Sequence, residues 1–233
     1  MAWSAGMFRI ARTLALGIVA LFFAANAMAQ ARGSAVLAQA VAATQAAKTD
    51  YAFDWTLNTA KQTWRARFDP NATPRLRMLA PDPSNLKNDE REGFERLSRD
   101  MEGVSWCASE TMGRVSNVQL VRNDGATSTY SFQPTRESIR GEQARRFADR
   151  LRGEMTMLNE TPDITRVRLF APAAFSPMPL VNVERIDIVI TCTPAPNGRR
   201  YASETVSEVH GSAFGQAFDE RSVQRFSNLQ AAP

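Results

Sequence analysis

The sequence is poor in the residues that most site chemistry needs. It has one histidine, His210, and two cysteines, Cys107 and Cys192, in 233 residues. A zinc finger, a multi-histidine metal centre and a disulfide-dense toxin scaffold each need more ligands or bridges than that. No Gly-Lys-Ser/Thr phosphate loop, Gly-x-Gly-x-x-Gly turn, EF-hand loop or Cys-x-x-Cys pair occurs. Nucleotide, flavin, metal and other cofactor chemistry therefore has no support in the sequence. What is present is ordinary for a folding chain: 22% charged residues and thirteen phenylalanines.

The N-terminus carries one targeting pattern. Arg9 and Arg12 precede the apolar run Leu14–Ala24, and Ala27-Met28-Ala29 is a small-x-small cleavage site of bacterial type. That order reads as a secretory signal peptide over residues 1–29, with the mature chain starting at Gln30. The run falls short of the ~20 apolar residues that span a bilayer. No second such run follows, so no transmembrane segment is expected after cleavage. No cysteine follows the cleavage site, so a lipoprotein anchor has no support. The expected location is the periplasm or the medium.

Removing residues 1–29 takes two arginines and no acid, so Lys plus Arg falls from 28 to 26 against 24 Asp plus Glu. The mature chain is then close to neutral, and nucleic acid is not an expected partner. Arginine outnumbers lysine 25 to 3. Arginine suits planar, bidentate anionic partners, but the bias also follows from a GC-rich genome. Export brings the two thiols into an oxidising compartment, where a lone pair of cysteines usually bridges. A Cys107–Cys192 disulfide is expected, structural rather than redox-active.

Residues 30–49 are Ala-rich, with Val36, Leu37 and Val41 at helical spacing, and read as a short helix or a tail. One α+β domain is expected over residues 50–229, with a tail at 230–233. Tyr51, Phe53, Trp55 and Leu57 alternate with smaller or polar residues, as do Trp64, Ala66 and Phe68 with Arg65 and Arg67. Period two with aromatics on one face predicts a hairpin of half-buried strands. Leu76–Ala80 predicts a third strand, ended by Pro81. Phe94, Leu97 and Met101 predict an amphipathic helix that stops near Gly103. Strands follow near Trp106, at 117–122 and at 127–132, the last two joined by Asp124-Gly125.

A second helix is predicted from about Glu137 to Leu158. Ile139, Gln143, Phe147 and Leu151 form its stripe, and Arg140, Arg145, Arg146, Arg150 and Arg152 give its other side a basic cast. Strands are predicted at 165–170, 182–193 and 200–210, the last two joined by the loop 194–198. The C-terminal stretch with Phe214, Phe218 and Phe226 reads as a helix, with a final strand as the alternative. Residues 75–81 and 166–172 share four of seven positions, consistent with two similar edge strands stopped by proline.

Candidate chemistry is thin. His210 precedes Gly211-Ser212, but the Gly-x-Ser-x-Gly elbow of a serine hydrolase is absent. Glu90, Glu92, Glu95, Asp100 and Glu102 fall on a predicted helix and read as a solvated face. Glu110, Glu184, Glu204 and Glu208 fall in strand regions and are candidates for a carboxylate pair. The arginines of 140–152 interleave with Glu137, Glu142, Asp149 and Glu154, as on a salt-bridged face. They are nonetheless the best patch for an anionic partner. The aromatic strand face, covered by the helices of Phe94 and Phe147, reads either as core or as the wall of an apolar binding site.

The expected fold is α+β: a curved antiparallel sheet of about six to nine strands, two main helices packed on it, and one disulfide. This element order resembles the general architecture of bacterial lipoprotein carriers and related periplasmic sensors, without a shared motif. The expected function is that of a non-catalytic, exported envelope protein binding an apolar or anionic envelope component such as lipid. The alternatives are a periplasmic or secreted hydrolase using His210 or strand carboxylates, and a protein-interaction module. N-terminal sequencing of the exported protein is expected to begin at Gln30; a start at Met1 would refute the signal peptide.

Overall fold

The computed structural model describes residues 30, 32–139 and 142–232. The expected signal peptide lies outside the described residues, as does Arg140. Helix α1 (32–46) comes first, followed by strands β1 (Tyr51–Thr59), β2 (Thr63–Phe68) and β3 (Leu76–Ala80). Helix α2 (Asn88–Asp100) precedes β4 (Ser116–Asn123) and β5 (Thr127–Gln133). The one-turn helix α3 (Glu142–Arg145) precedes β6 (Arg152–Leu158), β7 (Ile164–Phe170) and β8 (Phe175–Met178). Three long strands close the chain: β9 (Val181–Pro194), β10 (Arg200–Ala213) and β11 (Gln216–Ala231).

All eleven strands form one antiparallel sheet in the order β3-β2-β1-β11-β10-β9-β7-β6-β5-β4, with the short β8 pairing β9 off this path. The sheet has two unlike faces because nearly every strand alternates. On one face, here called inner, Phe53 lies opposite Phe68, Trp55 opposite Phe226, Val167 opposite Ile190 and Leu169 opposite Ile188. On the outer face, cross-strand ion pairs join Asp54 to Arg67, Asp187 to Arg168, Glu204 to Arg225 and Glu208 to Arg221.

Two apolar clusters fill the inner side. The first packs α1 through Leu37 and Ala40 against Val118, Tyr130, Phe132, Met155, Met157, Ile164 and Val167 of β4 to β7. Gly33, Leu37, Ala40 and Thr44 are the buried positions of α1, and their spacing is that of one helical face. Gly33 lies so close to β4 that a Cβ there would sit 2.9 Å from Val118 Cγ1 and 3.0 Å from its carbonyl oxygen. The second cluster is the aromatic face of β1 to β3 with Phe226, capped by Met101, Phe94 and Leu97 of α2 and its exit. Phe53 stacks on Phe68 at 4.7 Å, and Trp64 stacks on Phe94 at 6.4 Å.

Four segments differ from the sequence expectation: the strand expected near Trp106 is a single bridge to Tyr201, and three others add strands, bringing the count to eleven instead of six to nine. The helix predicted over 137–158 is instead a pair of short turns, α3 and strand β6. Gly153, Met155 and Met157 are buried while Arg152 is exposed and Glu154 and Thr156 are half-buried, which is a strand's alternation. A Cβ at Gly153 would fall 2.1 Å from the Phe132 ring of the neighbouring strand, so this glycine belongs to a sheet contact. Phe147 covers no aromatic strand; it meets Phe175 of β8 at 5.5 Å. The C-terminal stretch is β11, not a helix. Strand β8, which contains a proline, carried no alternation to read. Of the two similar segments, β3 ends the sheet and β7 lies inside it.

Cys107 and Cys192 form a disulfide between the loop after α2 and the end of β9, across a separation of 85 residues. Closing a loop of that size in the unfolded chain is worth about 4–5 kcal/mol in the chain-entropy account. The Cys107→Ser/Cys192→Ser protein is expected to lose about that much in urea denaturation; an unchanged midpoint would show that the bridge does not stabilise the fold.

Candidate functional site

The two clusters leave a gap between them, over the middle strands. Among the described residues the cover there is the segment from Met101 to Val115. Gly103, at a φ of 153°, starts the redirection after α2. The segment then runs antiparallel over the start of β10. Ala202 N donates to Ser105 O at 2.8 Å, Cys107 N donates to Arg200 O at 3.1 Å, and Trp106 bridges Tyr201. The disulfide fixes its middle. Gly113 N donates to Ser109 O, Met112 N donates to Ser109 Oγ, and Ser109 and Thr111 share a 2.9 Å hydroxyl bond. Its far end is tied to the turn after β5, where Thr135 Oγ1 donates to Arg114 O at 2.9 Å.

Under this loop lies a cavity of about 200 Å³. Its floor is the inner face: Phe132, Val167, Leu169, Ile190 and Ala202. Trp106, Cys107, Met112 and Val115 form the roof, and Pro134 and Ile139 close one side. Among the described residues no acid or base lines it. Its polar groups are the hydroxyls of Ser105, Ser109, Thr111 and Ser138. Those of Ser109 and Thr111 bond each other, and Ser138 Oγ both donates to Thr135 O and accepts from Thr135 N. A wall of this kind offers dispersion and apolar burial, and nothing that transfers a proton. The aromatic strand face does not border it; Tyr51, Phe53, Trp55 and Phe68 are buried in the second cluster.

On β9 the cavity wall ends at Ile190. Ile188 and Ile186 continue the row begun by Ile190, with Val209 of β10 opposite Ile186. All are half-buried. Neither helix covers them.

The titratable candidates stand elsewhere. His210 Nδ1 is 3.4 Å from Asp219 Oδ1, across β10 and β11 on the outer face. Among the described residues no serine hydroxyl hydrogen-bonds to His210. Glu204 and Glu208 are on the same outer face, held by Arg225 at 2.6 Å and Arg221 at 3.3 Å. Glu110 and Glu184 are exposed and apart from them, and Glu92, Glu95, Asp100 and Glu102 face solvent. Glu90 caps α2, accepting from Lys87 N at 3.0 Å. Asp187 takes two hydrogen bonds from Arg168, 2.7 and 2.9 Å, which hold its carboxyl below the ordinary value and push the guanidinium up. Asp54 is likewise held low, by Asn228 first and Arg67 after it.

Over 142–152 the expected basic helix face does not form; Arg140 lies outside the described residues. Arg145 Nε donates to Ile139 O, Arg152 Nη1 donates to the carbonyls of Asp149 and Leu151, and Arg150 pairs Asp149 at 3.4 Å. Among the described residues no cluster of His, Cys, Asp and Glu is fit to hold a metal ion, and no helix is long and apolar enough to cross a membrane.

One buried charged pair went unnoticed in the sequence. Arg199 and Asp163 meet at 3.3 Å, both nearly enclosed. Arg199 also donates to Thr44 Oγ1, Ala40 O and Pro162 O, so it fastens α1 to the β6–β7 and β9–β10 turns. Asp163 accepts from Ile164 N and Arg200 N. Burial pushes its carboxyl up from the ordinary value, with Arg199 the main opposing pull. The pair positions α1 over the first cluster and lies outside the cavity wall.

Comparison with known protein families, with curated proteins and with solved structures finds no match to this chain.

Arg199→Met is expected to cost about 3–5 kcal/mol at neutral pH, because it leaves Asp163 buried without its cation. The loss should shrink as the pH falls. A carboxyl whose folded pKa is raised above the unfolded one stabilises the fold only when protonated, and that contribution disappears as pH rises through the folded pKa. Urea denaturation across pH checks both; a pH-independent loss would contradict this account.

Proposed function

We propose that the protein is an exported envelope protein that holds an apolar chain, such as the acyl chain of a lipid, between the disulfide-pinned loop and the inner sheet face. The observation that carries this is the cavity itself. Its wall is mostly apolar, carries no charged group among the described residues, and reaches the half-buried isoleucine row of β9 at Ile190. The reading takes the sheet to be curved about this groove, with α1 and α2 as its flanks. The disulfide between Cys107 and Cys192 suits an oxidising compartment, in keeping with secretion to the periplasm or medium. The apolar form of the ligand is favoured over the anionic one, since Arg145 and Arg152 donate to turn carbonyls and Arg150 pairs Asp149. A hydrolase is the less supported reading, because His210 and the strand glutamates stand on the face opposite the cavity.

Leu169 is the residue to test. It lines the cavity near the end of β7 and is only half-buried, so it tolerates change better than the core. Leu169→Trp fills the space and Leu169→Asn places an amide in it. Each is expected to weaken binding of dansyl-labelled undecanoic acid about tenfold or more, with thermal unfolding confirming a folded protein. Native mass spectrometry of the protein from its host is expected to show a lipid adduct that the Trp variant lacks. Failure of the unsubstituted protein to bind the fluorescent acid, or equal binding by both variants, would overturn the proposal.

A further inference from the structure

The end of the sheet that carries the β8–β9 and β10–β11 turns has a composition unlike the rest. Residues 171–183 and 211–218 contain no charged side chain. Among the described residues, three of the six large hydrophobic ones that stand exposed gather there: Met178, Leu180 and Phe214, at 54%, 72% and 76%. Phe214 N donates to Leu180 O at 2.8 Å, so the two turns are bonded side by side into a single tip.

The backbone of this tip is costly. Leu180 has φ 63° and Phe214 has φ 51°, followed by Gly215 at 80°. Two positive φ values in a two-residue hairpin turn are normally filled by Asn-Gly. A bulky side chain there is strained, and this strain is not offset by burial. The β4–β5 hairpin of the same chain uses Asp124-Gly125 at its turn. Large apolar side chains held outward in this conformation therefore point to a contact made outside the chain.

The tip also lies at the end of the row that leads from the cavity. From Ile190 the inner-face residues of β9 run through Ile188 and Ile186 to Val183. Val183 is opposite Gly211, which is in turn opposite Phe218. Phe218 lies across Gly211: a Cβ there would be 2.7 Å from the Phe218 ring. An apolar row thus runs along β9 from the tip to Ile190 at the cavity wall, buried at Val183 and half-buried beyond it. The charges flanking the tip are mixed, with Glu184, Asp219 and Glu220 exposed along the ribbon and Arg146 and Arg150 beside Phe175.

We infer that this tip inserts into the surface of a lipid bilayer, with Leu180 and Phe214 among the acyl chains, and that the β9 row is the path of an apolar chain between bilayer and cavity. The path rests on the ligand reading above; the insertion stands by itself. Mixed flanking charge means that apolar burial drives the contact, so neutral and anionic bilayers should serve alike.

The test is flotation of the full-length mature protein with phosphatidylcholine vesicles, and with vesicles that also contain phosphatidylglycerol. The unsubstituted protein should float with both, at low and high salt. Leu180→Asn/Phe214→Asn should reduce vesicle binding at least about tenfold. The same double variant should unfold at an equal or higher temperature, because asparagine suits a positive φ. It should keep its affinity for dansyl-labelled undecanoic acid. Leu169→Trp should float normally while losing the acid. Vesicle binding without acid binding in the unsubstituted protein would remove the path and leave the insertion standing. Acid binding without flotation would overturn the insertion alone. Flotation only with anionic vesicles and only at low salt, or equal flotation of the double variant, would also overturn it. So would self-association by light scattering that the double substitution abolishes, since the tip would then seat on a second copy.

Discussion

An apolar sheet face has to be covered, and here the face is wider than its cover. Ten strands side by side span about 43 Å at the usual strand spacing. Two helices cover roughly 20–24 Å of that. Helix α1 takes the β4–β7 half and α2 takes the β1–β3 half. The middle, over β9 to β11, is left to a loop with no extended secondary structure of its own. That loop stays in place because it borrows pairing from β10 and is cross-linked to β9. The disulfide and the cavity are therefore linked features: the bridge holds a thin roof where a helix would have filled the space.

On most strands the alternation that makes the inner face apolar sends the ionisable groups outward; on β10 and β11 the inner face is largely polar, with Thr205, Ser207, Gln224, Ser222 and Glu220. Asp187 with Arg168, Glu204 with Arg225, Glu208 with Arg221, and His210 with Asp219 are all cross-strand neighbours on the outer face. Each is explained by strand pairing, and most are exposed enough to add little stability. A sequence with one histidine had few ways to build an acid–base site. The sheet removes the most obvious one by turning His210 away from the cavity.

Much of this sheet was legible in the sequence, and the exceptions have physical causes. Strands β1 to β5, β7, β9 and β10 alternate in type, so period two shows directly. Strand β6 was masked by spacing: Phe147, Leu151 and Met155 are four apart, and residues four apart share a face in a helix and in a strand alike. Gly141 and Gly153, poor residues for a helix interior, were the discriminating signal. Strand β11 was masked because its inner face carries Gln224, Ser222 and Glu220 next to Phe226, so its alternation is between polar and polar. The cysteine pairing needed only a count of two and the compartment that a signal peptide implies. The cavity had no signature, since its wall comes from five separate segments and each, by itself, reads as core. An unfilled volume is a property of how segments meet, not of any residue in them.

Where a fold leaves hydrophobic surface uncovered is itself informative. A chain under selection for stability alone would place a third helix over Ile186, Ile188 and Val209, and would use Asn-Gly in place of Phe214-Gly215. Both changes favour the folded state, the first by burying apolar area and the second by relieving a strained φ. This chain does neither, and the two omissions fall at opposite ends of one continuous row on β9. Elsewhere the chain packs closely: Gly33 lets α1 approach β4, Gly153 admits the Phe132 ring, and Arg199 bonds Thr44 Oγ1 and Ala40 O of α1. Leu79, Leu120 and Val121 also stand exposed, but on β3 and β4, the two end strands of the sheet. The row on β9 lies in the sheet's interior, and its two ends are the cavity and the exposed tip.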